Sequence, residues 1–257
     1  MIFPPTQIPP MKTKSLLAAC AAFVLVTHAA AQTPLPGNPA ERGVSGTNTG
    51  PAAAGNGAAL HKLSLERVQQ KNLKEAVDFA EQATKADPTQ PDYYSQLGLA
   101  LSLRMGELNF MQQAMTAGKM RKAFEKAVAL DPKHIGGLIG LTRYYANAPE
   151  IAGGSLEKSK EFADRVHALH PALGLVEYGN IAEKGDDYAG ALAHFEAALK
   201  LRPDSANLTN ACGRMLAKLG RKDEARARFE AALKINPEFE PAKKALAALD
   251  APAATSS

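Results

Sequence analysis

Tryptophan is absent from the 257-residue chain, aromatic residues make up only 6%, and cysteine occurs twice. A β-sandwich would want more aromatic and β-branched positions on its inner faces, so the composition points away from an all-β fold. Cys20 lies in a segment expected to be removed, which leaves Cys212 alone and excludes a disulfide scaffold. Cys212 reads instead as a small residue at a helix-packing position. Charge of one sign is also lacking. The formal net charge is +4, and without Lys12 and Lys14 it falls to about +2, no electrostatic footprint for nucleic acid. The catalytic patterns G-x-S-x-G, Walker A, H-E-x-x-H and C-x-x-C are missing. His167 and His170 stand three apart, but no third ligand completes a zinc site. No enzyme, metal or cofactor is therefore expected.

What is present begins with an address. From Met11 a short basic stretch precedes the apolar run Leu16–Val26 and the ending Ala29-x-Ala31, the order of a secretory signal peptide. The reading is a signal peptide over 1–31, with Met11 the true start and cleavage after Ala31, which places the product in the periplasm or outside the cell. The run is shorter than the roughly 20 residues a membrane span needs, so no integral span is expected after cleavage. Leu17-Ala18-Ala19-Cys20 also resembles a lipobox, but the hydrophobic stretch continues past Cys20, which favours ordinary cleavage over lipid anchoring. Residues 32–56 are rich in Pro, Gly, Ala and Thr and poor in large apolar side chains. They are expected to form a disordered linker, and 251–257 a flexible tail.

Between these ends the chain repeats itself. Lys-Ala-Asp-Pro88, Ala-Leu-Asp-Pro132, Ala-Leu-His-Pro171, Lys-Leu-Arg-Pro203 and Lys-Ile-Asn-Pro237 each close an apolar helical pattern. Upstream of them recur triplets at i, i+4 and i+7: Ala76/Ala80/Ala83, Met120/Phe124/Ala127, Ala191/Phe195/Ala198 and Ala225/Phe229/Ala232. Such offsets share one helical face. Gly98, Gly179 and Gly213 fall at one phase of the preceding helix, where a glycine costs about 1 kcal/mol; their recurrence points to close helix contact, with Phe filling the volume between helices.

Leu60-x-x-Leu63, Tyr94-x-x-Leu97-Gly98, Ala191-x-x-x-Phe195-x-x-Ala198 and the closing prolines resemble the tetratricopeptide-repeat (TPR) family. The resemblance implies an all-α, right-handed α-solenoid of about five helix-turn-helix units at 57–90, 91–134, 135–171, 172–205 and 206–239. A capping helix at 240–250 completes a domain spanning 57–250. Two insertions depart from the pattern, at 101–118 and 148–154. The first predicts longer helices or an apolar loop over the stack. In the second, Gly153-Gly154 breaks the chain and Ser155 starts a helix. A similar segment occurs in some exported bacterial TPR proteins of undefined role.

The resemblance further implies a concave groove lined by positions two, five, nine, twelve and thirteen of each unit. That places Arg143, Asn147, Asn180, Glu183, Lys184, Asn207, Asn210, Arg214 and Lys218 on one surface, able to bind peptide amides and carboxylates. The carboxylate-clamp pattern of chaperone-binding TPR domains is not matched, because Val176 stands where a Lys is needed. The expected function is a monomeric scaffold or adaptor holding a protein or peptide. The alternative is a small-ligand-binding accessory of an envelope transporter or enzyme, with an apolar pocket near Phe110, Met111, Tyr144 and Tyr145.

Overall fold

Turns of the type Asp-Pro or Asn-Pro end one helix and prepare the next. Asp87 accepts hydrogen bonds from the Thr89 N–H (3.0 Å), the Thr89 hydroxyl (2.6 Å) and the Gln90 amide (3.1 Å). These bonds hold the Asp87 carboxyl below its usual range. Asp131 accepts from Lys133 N–H, and Asn236 from Glu238 N–H, in the same way. The repeated dipeptide is thus a repeated turn.

A computed structural model describes residues 51–250. The segment read as a signal peptide, with Cys20, most of the segment read as a linker, and the expected tail lie outside the described residues. Eleven α-helices and two 3-10 turns follow in order: α1 Pro51–Gln69, α2 Leu73–Ala86, α3 Pro91–Arg104, a turn Met105–Glu107, α4 Phe110–Leu130, α5 Ile135–Asn147, a turn Glu150–Ala152, α6 Leu156–Leu169, α7 Pro171–Lys184, α8 Tyr188–Leu201, α9 Ala206–Lys218, α10 Lys222–Ile235 and α11 Glu240–Asp250. Helix α1 begins at Pro51, inside the segment read as linker. No strand occurs among the described residues. Each helix packs on the next, and first helices also stack on first helices (α1 on α3, α3 on α5, α5 on α7). This is the layered stack of an α-solenoid.

The triplets carry the packing. Ala76/Ala80/Ala83, Met120/Phe124/Ala127, Ala191/Phe195/Ala198 and Ala225/Phe229/Ala232 are all buried, and Ser159/Ala163/Val166 occupy the same places in the third unit. Gly98, Gly179 and Gly213 lie directly beneath the rings of Phe124, Phe195 and Phe229. A Cβ at any of the three would come within 2.5 Å of the ring, and one at Gly140 within 2.3 Å of Phe124. Units one and three carry Ser64 and Thr142 at that position, with Ala80 and Ala163 in place of the phenylalanine. A larger residue on one helix is matched by a smaller one on the other. Cys212 is fully buried and unbonded, and burial pushes its thiol up to about 11.

The insertions lengthen the second unit and add a turn between the helices of the third. Helix α4 has 21 residues where most of its neighbours have 13 or 14, so the extra sequence becomes helix. Asn109 and Gln112 form a reciprocal capping box at its start. Gln113, buried, donates to the Met105 and Leu108 carbonyls and so satisfies the preceding turn. In the third unit the Tyr144 hydroxyl donates to the Ala152 carbonyl at 2.6 Å. Gly153 takes a left-handed φ of 86°, and a Cβ at Gly154 would strike the Ala148 carbonyl. Ser155 then caps α6. That segment is a loop-to-helix junction.

Candidate functional site

The backbones of first helices α7 and α9 stand apart, bridged by side chains such as Glu183 and Arg214, and the gap between them is the site. A groove of about 600 Å³ opens there, bounded by α5 and α7 on one side and by α9 and the start of α11 on the other. Of the residues expected on one surface, Arg143, Asn147, Asn180, Glu183, Lys184, Asn207, Asn210 and Arg214 all line it. Lys218 does not. It sits at the end of α9, with its ammonium 5.8 Å from the centre of the Tyr188 ring, a contact that draws it to the second helix of the preceding unit.

Pairing alters the chemistry expected of the two arginines. Arg143 grips Glu177 through two nitrogens, at 2.7 to 3.2 Å, and Glu177 is almost wholly buried. Arg214 is held by both carboxylate oxygens of Glu183. Each guanidinium is therefore neutralised before any ligand arrives, in the fork geometry that suits arginine and carboxylate. Asn180 leans on Glu177 at 3.5 Å, and Asn147 donates to the Arg143 carbonyl at 2.9 Å. Lys184 and Lys244 line the groove and enter no ion pair among the described residues.

Asn210 is the exception to this internal satisfaction. Only 7% exposed, it lines the groove with a buried side-chain oxygen that has no hydrogen-bond partner. A buried amide oxygen left unpaired costs about 1–3 kcal/mol, a cost that a donor brought by a ligand would remove. Around it the floor is apolar, made by Val176, Leu208, Ala211 and Phe239. Phe239, Pro241 and Lys244 were not expected here. Sequence offsets could have found the last two, since they fall at positions two and five once α11 is counted as the first helix of a sixth unit. Glu177 gave no such signal.

The alternative pocket does not assemble from its four residues. Phe110 and Met111 are 64% and 68% exposed, whereas Tyr144 and Tyr145 are buried, Tyr145 stacking on Phe162 at 5.6 Å. His134 caps α5 by accepting from Gly137 N–H at 2.9 Å, and its other nitrogen meets Asp92 at 2.9 Å. His167 bonds the Pro171 carbonyl and lies against Tyr178. Among the described residues no group of three or more His, Cys, Asp or Glu side chains is arranged to hold a metal ion.

Two family models, both described as tetratricopeptide repeat, match residues 58–90 and 182–249. The chain is a tetratricopeptide-repeat protein. Among solved structures it is similar to a thermophilic TPR protein of Thermus thermophilus, with 19% identity and a TM-score of 0.64 over 75% of this chain and 98% of that one. It is also similar to pilF of Pseudomonas aeruginosa, with 17% identity and a TM-score of 0.53 over 77% of this chain and 90% of that one. At such identities the likeness is one of fold. No curated protein sequence matches the chain. The TPR units matched in sequence include α9, α10 and α11, one wall of the groove, and among the described residues no helix is long and apolar enough to cross a membrane.

Proposed function

We propose that this TPR protein is an exported scaffold, acting in the periplasm as a monomer, that holds a segment of another protein in the groove between α7 and α9. TPR domains in general mediate protein and peptide binding, and the groove supports that role here. The observation that carries the reading is the unfilled Asn210 oxygen above an apolar floor. A peptide supplies what that site lacks: an N–H donor and apolar side chains on one backbone. The signal-peptide pattern at Met11–Ala31 supports export.

Lys184 and Lys244 are better probes than the arginines, because reversing Arg214 would also break its pair with Glu183. Affinity capture from envelope extract with the natural chain, beside a Lys184→Glu/Lys244→Glu version, tests the reading. A protein retained by the first and lost by the second, with equal helicity in both, is the expected result. Identical captures from both chains would sink the groove as the binding site.

A further inference from the structure

Four side chains of the two insertions stand in solvent with no role in the groove: Phe110 at 64% exposure, Met111 at 68%, Met115 at 67% and Ile151 at 100%. Of the other large apolar residues on the described surface, only Leu201 exceeds half exposure, so the insertions hold nearly all of this kind of surface. The turn carrying Ile151 packs against α4, while Phe110, Met111 and Met115 share the first two turns of that helix. These three make an exposed apolar tip at the start of α4, and the capping box keeps it helical. Directly behind it on the same helix, Lys119 and Lys122 continue the face of Met111 and Met115 at steps of four, four and three residues. Both lysines are exposed and enter no ion pair among the described residues. Glu125, the acid on that helix, faces Arg121 at 3.6 Å. Glu107 precedes the tip in the chain and reduces its positive potential, with Arg104 opposing it.

We propose that this tip is a membrane-surface contact, with Phe110, Met111 and Met115 entering the acyl boundary of an anionic phospholipid layer and Lys119 and Lys122 lying against its phosphates. An exposed apolar tip needs no complementary cleft in a fluid phase, and lysines one and two turns behind it match the depth of a headgroup layer. A handful of inserted side chains gives only reversible attachment, so the basic residues act as the second signal. Each lysine at such a surface strengthens binding about five-fold.

The chain has no tryptophan, so a Met111→Trp variant reports from this tip alone, whatever other parts of the chain bind. Vesicles of phosphatidylcholine with phosphatidylglycerol should shift its emission to the blue, and vesicles of phosphatidylcholine alone should not. A Leu201→Trp variant, with its indole far from the insertions in sequence and on another unit, should stay unshifted on both. Adding Lys119→Gln and Lys122→Gln to the first variant should weaken the effect by up to about twenty-five-fold. No shift at position 111 on anionic vesicles, or an equal shift at position 201, overturns the assignment. So does a shift without vesicles that grows with protein concentration, since a second copy of the chain would then be covering the tip.

Discussion

Single residues decide how closely each pair of helices meets. Gly213 lies under Phe229, and a Cβ there would sit 2.5 Å from the ring. Overpacking costs about 1–3 kcal/mol, while replacing a helical glycine by alanine returns up to about 1 kcal/mol. Gly213→Ala should therefore destabilise by about 1–2 kcal/mol in urea denaturation, and a neutral result would show that the ring moves freely. The Ser64/Ala80 combination of unit one makes a sharper case. Gly213→Ser with Phe229→Ala should cost less than the sum of the two single changes. His61 offers a test by pH. It is half-buried with an unpartnered Nδ1, and burial lowers its pKa below 6.5 more than nearby Asp92 raises it. A depressed histidine is disfavoured as a cation in the fold, so its contribution is full above pH 6.5 and lost as pH falls through the folded value. Melting temperature should drop on that acid side, and His61→Gln should flatten that part of the profile.

At the scale of the element, most of the fold could be read in the sequence because the triplets and the closing prolines repeat. Those signals are local: an i, i+4, i+7 face and an Asx-Pro turn need no knowledge of the rest of the chain. What could not be read was the outcome of the insertions, since Leu108–Gly118 has an apolar content that suits a helix or a covering loop equally. The Asn109–Gln112 capping box and the Gln113 bonds across the turn settle it as helix. Asn109→Ala should cost about 1 kcal/mol, concentrated in the first turns of α4. Hydrogen exchange should quicken at residues 111–116 and stay unchanged at 124–130; a uniform change along the helix would contradict a purely terminal cap.

Across the whole molecule the apolar core divides into one cluster in units one to three and another running from Val176 through Phe239 to α11. Arg143 and Glu177 tie the two at the groove wall, with Glu177 buried. Breaking a buried pair by removing one charge costs about 3–5 kcal/mol, so Glu177→Gln should destabilise by about 3 kcal/mol and separate unfolding into two transitions; one unchanged transition would argue against the divide. Much of the groove's lining was legible from unit positions, because those positions repeat along stacked first helices, but Lys218 was placed there wrongly and Phe239 was missed. Its charge state was not, because Glu177 and Glu183 reach Arg143 and Arg214 from neighbouring units, and pairings across units leave no local trace. The proposed role of this groove is to hold a partner. Its most direct test is a photo-crosslinking residue at Asn207 inside the groove, with one at exposed Lys234 on α10 as control, both used in envelope extract. A protein crosslinked from position 207 and not from 234 is the predicted result; the same products from both positions, or none from 207, would contradict it.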